Sequence, residues 1–134
     1  MATFQFELVT PERLLFSGPV DGVVIPGAEG DFEVLANHAP VMSTIRPGLI
    51  SVREAPGTAA RRLFVRGGFA EVGPEGLTIL AERAIAFEDL SSEALAREIE
   101  MAEEDVADAT TDTLRSKASL KLDQLRELQR AIGH

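Results

Sequence analysis

The chain changes chemistry at residue 89. All seven prolines and ten of the eleven glycines lie before it, whereas residues 91–134 contain no Pro and only one Gly, the penultimate Gly133. Ala, Leu, Glu, Arg and Lys dominate the second part. That is helix composition, because these side chains lose little rotamer freedom in a helix and none of them removes a backbone donor. The first part is interrupted by Gly or Pro too often for long helices and reads as strands and turns. One break therefore predicts two domains, residues 1–88 and 89–134. The first is an N-terminal antiparallel β-sandwich of about ten strands, and the second is a C-terminal two-helix antiparallel hairpin.

Apolar residues of the first part fall at the period of strands. Phe4, Phe6 and Leu8 alternate with Gln5, Glu7 and Val9 until Thr10-Pro11-Glu12 ends the run. Leu14-Leu15-Phe16 runs into Ser17-Gly18-Pro19, and residues 20–26, 32–35 and 42–45 follow, the last closed by Arg46-Pro47-Gly48. Alternation resumes over 49–53, and residues 54–58 form a hairpin tip. Runs 62–66 and 69–72 then meet at a bend, Gly67-Gly68, and the tip Gly73-Pro74-Glu75-Gly76 leads into 77–80 and 84–87. Closely spaced strands without intervening helices make an antiparallel sandwich or barrel. There is neither Trp nor Tyr, so Phe and branched aliphatics must fill the core.

In the second part, Ser91 or Ser92 can cap a first helix, whose apolar seam is Leu95, Ile99, Ala102, Val106 and Ala109. A second seam comprises Leu114, Ala118, Leu122, Leu125, Leu128 and Ile132. Thr110-Thr111-Asp112-Thr113 between them weakens helix and offers N-caps, which predicts the hairpin. Residues 91–112 hold eight acids against Arg97, a balance of −7, while 113–134 carry +3, so the two helices attract. The tetrapeptide has neither Gly nor Pro, and a straightened arrangement of the two helices stays open.

Several functions are disfavoured. A net charge of −9 and a pI near 4.7 argue against DNA or RNA, and an anionic membrane surface would repel the chain. Without cysteine, disulfides, thiolate metal sites and a Cys nucleophile are excluded. The N-terminal Met-Ala-Thr-Phe-Gln-Phe-Glu-Leu lacks a signal-peptide pattern, and no apolar run approaches the ~20 residues of a membrane span, so no direct membrane insertion is expected. Phosphate loops, dinucleotide fingerprints, nucleophile elbows and His-Glu-x-x-His are all missing. His38 and His134 are the only imidazoles, which leaves zinc without a ligand set. An interaction protein with no catalytic, cofactor or metal site is therefore expected, the alternative being a small carboxylate-metal enzyme on the sandwich.

Residues 23–41 concentrate the polar chemistry. Two apolar runs flank a turn in which Gly27 and Gly30 are expected to take backbone angles closed to other residues, and which carries Glu29 and Asp31. Glu29, Asp31 and Glu33 alternate, as if on one strand face. A second turn, Asn37-His38-Ala39-Pro40, follows so soon that His38 should lie beside the first. By composition alone, such residues more often simply connect strands.

Phe6-Glu7-Leu8-Val9 with Pro11-Glu12-Arg13, Phe16-Ser17-Gly18, Pro26-Gly27-Ala28-Glu29-Gly30-Asp31-Phe32, His38-Ala39-Pro40, Arg46-Pro47-Gly48, Arg66-Gly67-Gly68-Phe69-Ala70-Glu71-Val72 and Leu80-Ala81-Glu82 occur in this order. Together they resemble the epsilon subunit of bacterial F-type ATP synthase, and the resemblance covers the whole chain. It implies a β-sandwich followed by a helical hairpin. It also implies a non-catalytic rotor subunit at the foot of the central stalk, bound to the gamma subunit and resting on the c-ring, which couples proton flow to rotation. Its place would be peripheral, on the cytoplasmic side of the bacterial inner membrane.

By the same resemblance Glu29, Gly30 and Asp31 match the turn facing the c-ring, and His38 matches the imidazole near gamma. Many relatives read Gly-Val-Leu-Pro-Gly-His-Ala-Pro where this chain reads Glu33-Val34-Leu35-Ala36-Asn37-His38-Ala39-Pro40. In the family the hairpin can extend along gamma and block hydrolysis, basic residues of its second helix meeting acids of the catalytic beta subunits. Arg115, Lys117, Lys121, Arg126 and Arg130 are the candidates for that role, and pairing with the acidic first helix is their simpler one. Some relatives bind ATP through Ile/Leu-Asp-x-x-Arg-Ala. Here Ser92 and Glu93 stand in the Arg and Ala slots, so no ATP binding is expected.

Overall fold

Side-chain alternation becomes ten strands in the computed structural model, which describes residues 2–133. They are β1 (Phe4–Val9), β2 (Leu14–Val20), β3 (Gly22–Gly27), β4 (Gly30–Val34), β5 (Val41–Ile45), β6 (Gly48–Arg53), β7 (Arg61–Val65), β8 (Gly68–Gly73), β9 (Gly76–Ala81) and β10 (Ala84–Ala86). They form one continuous sheet in the order β10-β7-β6-β3-β5-β8-β9-β1-β2, with β4 paired to β3. Inward residues of β1 to β9 meet in a single cluster that includes Phe6, Leu8, Ile25, Ile50, Leu77 and Ile79, so the sheet must curl around its own core as a flattened sandwich.

Three expectations need correction. The sheet is mixed rather than wholly antiparallel, because β1 pairs β9 in parallel, Phe6 opposite Leu77 and Leu8 opposite Ile79. The long intervening chain removes any need for a tight hairpin between them. Ser17-Gly18-Pro19 does not end a strand; β2 runs through it to Val20. Because β2 lies at the edge of the sheet, the donor missing at Pro19 leaves no ladder bond unmade. Gly27 is needed for space rather than for its backbone angle, since a Cβ there would stand 2.8 Å from the Gly30 carbonyl oxygen and from the Phe32 ring. Gly30, with φ of 139°, does adopt the conformation foreseen for both.

The chain divides into two compact units, Met1–Phe87 and Glu88–His134. In the second, α1 (Ser92–Asp108) is capped by the Ser91 hydroxyl, which accepts from the Ala94 N–H at 3.0 Å. Likewise α2 (Asp112–Ile132) is capped by the Thr111 hydroxyl, accepting from the Leu114 N–H at 3.1 Å, and closed by Gly133 at φ 77°. Each hydroxyl satisfies one of the four donors that a helix start leaves unpaired. Leu95, Ile99, Ala102, Leu122 and Leu125 are buried, as the two seams require. Leu114 is not; in the first turn of α2 it is 50% exposed. Glu98, one turn on from Leu95 and 1% exposed, broadens the buried face of α1 beyond its apolar seam.

Candidate functional site

The polar turn is built by β3 and β4, which pair from Val23 opposite Val34 to Gly27 opposite Gly30 and leave Ala28 and Glu29 at the tip. β4 is only five residues long, so the next turn is drawn back beside the first. A groove of about 610 Å³ runs between them, lined by Glu29, Asp31, His38 and the exposed Met42 among others. His38 also lines a second groove of about 460 Å³ with Leu35 and Pro74, and so stands on the ridge between two recesses. The expected assembly of two carboxylates and an imidazole at one edge is present. Gly30 lines the same groove, and its φ of 139° lets the chain reverse there.

His38 owes its orientation to the residue before it. Asn37 has φ of 65°, the left-handed region that suits Gly and, among other residues, above all Asn and Asp. The side chain of Asn37 thus accommodates the angle that the matching glycine of many relatives would allow, and the His38 N–H closes the turn on the Leu35 carbonyl at 3.2 Å. The ring Nδ1 lies 2.6 Å from the Ala39 carbonyl oxygen. A carbonyl cannot donate, so Nδ1 carries the proton and Nε2 is left for a partner.

The acids are held unequally. Asp31 and Glu33 lie on the exposed face of β4, and Glu29 sits in the turn before it. Asp31 accepts from Arg46 Nη2 at 2.6 Å, and Glu33 lies 3.6 Å from Arg53 Nη1. Arg53 also donates to Asp21 at 2.7 Å. That hydrogen bond first, then the nearby Asp21 and Glu33 charges, hold the guanidinium above its ordinary pKa, so Arg53 stays cationic wherever the sandwich is folded. Glu29 makes no hydrogen bond or ion pair among the described residues. The two arginines were not singled out in the sequence, because nothing in local spacing tells that a side chain fifteen residues on will reach back to this turn.

The basic residues of α2 are spread along it. Arg126 bridges to Glu103 of α1 at 2.9 Å, as the charge asymmetry of the helices predicts. Arg115 pairs with Asp112 at 3.0 Å and donates to the Ala109 carbonyl at 3.2 Å. Lys121 is half-buried, whereas Lys117 and Arg130 are exposed. Ser92 and Glu93, in the slots of the nucleotide motif, form the first turn of α1. Among the described residues no group of three or more His, Asp or Glu is placed to hold a metal ion, and no helix is long and apolar enough to cross a membrane.

Residues 3–87 match the family model of the ATP synthase delta/epsilon chain β-sandwich domain. The chain is 59% identical to the ATP synthase epsilon chain of Parvibaculum lavamentivorans over 96% of each chain. It is 54% identical to that of Mesorhizobium japonicum, over 96% of this chain and 95% of that one. Among solved structures, it resembles a chain of the Euglena gracilis mitochondrial ATP synthase OSCP/F1/c-ring assembly, with a TM-score of 0.74 and 26% identity over all of this chain and 83% of that one. A chain from the Tetrahymena thermophila central stalk and c-ring shares the fold, with a TM-score of 0.69 at 14% identity, over 96% of this chain and 95% of that one.

Proposed function

The chain belongs to the ATP synthase epsilon-chain family, and from that premise we propose that it is a rotor subunit of the central stalk, bound to gamma and seated on the c-ring, with no catalytic site of its own. What carries the reading is identity of 59% and 54% to named epsilon chains over nearly the whole length, which spans both the sandwich and the hairpin. Likeness to a chain of an F1/c-ring assembly supports the same partners. The groove gives the proposal a surface: Glu29, Gly30 and Asp31 for the c-ring, His38 for gamma. Its site is then peripheral, on the cytoplasmic side of the bacterial inner membrane. The carboxylate-metal enzyme has no support.

The hairpin is a regulatory arm in this proposal. To meet acids of the beta subunits, Arg126 must leave Glu103 and Arg115 must leave Asp112. Both pairs are exposed, and such pairs are worth about 0.2–1 kcal/mol, a small barrier to rearrangement. The test is to purify the tagged chain from native membranes and identify what accompanies it. Gamma, the c subunit, alpha and beta are the expected companions; their absence, or ATP turnover by the isolated chain, would overturn the reading.

A further inference from the structure

We propose that Arg115 is the latch of a two-position bend between α1 and α2, holding the bent form through a bond that one continuous helix could not make. This deepens the reading of the hairpin as a regulatory arm and rests on it for its consequence, although the latch itself is a property of the isolated chain. The bend is carried by the residues between the two helices. Ala109 has φ −64° and ψ 128°, and Thr111 has φ −131° and ψ 159°, both in the extended region open to any residue. None of residues 109–111 has a positive φ, and none is Gly or Pro. Rotating these few torsions to helical values of about −63° and −42° would join α1 and α2 into one rod. The sequence permits both forms, so contacts present in only one of them set the balance.

Two contacts belong to the bent form alone. The Thr111 hydroxyl accepts from the Leu114 N–H at 3.1 Å, a donor that a rod would give to the Thr110 carbonyl. Arg115 Nη2 donates to the Ala109 carbonyl at 3.2 Å. In a rod that carbonyl would lie roughly 9 Å back along the axis and about a third of a turn round it, already bonded to the Thr113 N–H. Nη1 meanwhile donates to Asp112 Oδ1 at 3.0 Å, a pair three residues apart that either form allows and that aims the guanidinium at Ala109. The planar fork serves both acceptors at once, which an ammonium cannot do at fixed spacing. Charge adds to the bias. α1 ends on Asp105 and Asp108 with no base in its last turn, so two acids stand at the negative end of the helix dipole. Arg115 supplies the missing cation from the next helix. A rod has no helix end there and needs no such cation, so loss of Arg115 tips the bend toward it.

The chain has no cysteine, so a single introduced thiol reports opening of the hairpin without background. Ala102→Cys places it in the seam of α1, at a position 3% exposed. In the full chain its reaction with an aromatic disulfide is expected to run about fivefold faster after Arg115→Gln, and about twofold faster after Arg115→Lys, which keeps the charge but not the fork. Adding Asp112→Pro to Arg115→Gln should return the rate to within about twofold of the parent. Proline suits the first position of α2 and the extended Thr111 before it, but inside a rod it would clash with the Asp108 carbonyl. Repeating the series with Leu122→Cys, 8% exposed, keeps the outcome readable if the first placement perturbs the hairpin. If Arg115→Gln leaves both thiols at the parent rate, the proposal is overturned. It is also overturned if the proline leaves the acceleration intact, which would trace it to unravelling of α2. In the reassembled complex, Asp112→Pro alone is expected to raise ATP hydrolysis, because it forbids the rod. Unchanged hydrolysis beside the expected labelling pattern would overturn the regulatory reading and leave the latch standing.

Discussion

Asn37 sits at φ 65°, where most side chains crowd their own carbonyl. Replacing it tests whether the His38 turn depends on that angle. We predict that Asn37→Gly leaves stability within about 0.5 kcal/mol, whereas Asn37→Val, branched at Cβ, costs about 1–2 kcal/mol. Urea unfolding monitored by circular dichroism separates these outcomes, and equal midpoints would show that the turn tolerates either. Gly68 is less forgiving. With φ of 151° and the site of a Cβ only 2.1 Å from the Leu80 carbonyl oxygen, Gly68→Ala must push β8 away from β9 and should cost about 3 kcal/mol. A loss under about 1 kcal/mol in the same assay would mean that the two strands give way easily. At the acidic turn, reversal of Glu29 should cost the fold little, since such exposed sites usually change stability by about 0.5 kcal/mol or less. Asp31→Arg is expected to cost more, because it sets a second cation against Arg46.

The first unit has its own core, since every member of the buried cluster lies between Phe6 and Ala81. A chain ending after Glu88 should therefore fold, and we predict a cooperative thermal transition with the circular dichroism of β-structure; a random-coil spectrum would refute it. Removing only residues 113–134 should do more harm, because it takes Leu122 and Leu125 away and leaves α1 without the basic helix that balances its acids. That shorter deletion is expected to aggregate or to be degraded, and recovery of a soluble, helical product would count against the paired seams. Strands and helices were legible in the sequence because alternation, Gly and Pro punctuation, and the Thr-rich break are local signals. Strand partners were not. Nothing in period-two patterning says that β1 will lie parallel to β9, and Pro19 looked like a terminator because edge position is a property of the whole sheet. The same divide separates the parts of the site. His38 and Glu29 could be placed together because β4 is short, whereas Arg46 reaches Asp31 only through three-dimensional closure.

As a whole, the molecule couples a self-sufficient sandwich to a helical arm, and the arm is where control should reside. Deleting residues 89–134 is predicted to leave ATP synthesis by the reassembled complex intact and to raise its ATP hydrolysis wherever the arm inhibits; loss of synthesis would show that the helices are needed for assembly. Nucleotide should not regulate the arm directly. With Ser92 and Glu93 in the first turn of α1, millimolar ATP is expected to leave the melting temperature of the full chain unchanged, while a clear concentration-dependent rise would reveal a binding site. The parallel pairing of β1 with β9 also bears on how the chain is born. On the ribosome β2 can zip onto one side of β1 almost at once, but the other side waits for Gly76 to emerge. At bacterial elongation rates that wait is on the order of several seconds, during which one edge of the nascent sheet stays open to any neighbouring nascent chain. The seam between first strand and ninth is thus among the last stitches of the sandwich, followed only by the pairing of β10 with β7, and is made shortly before the helices leave the exit tunnel.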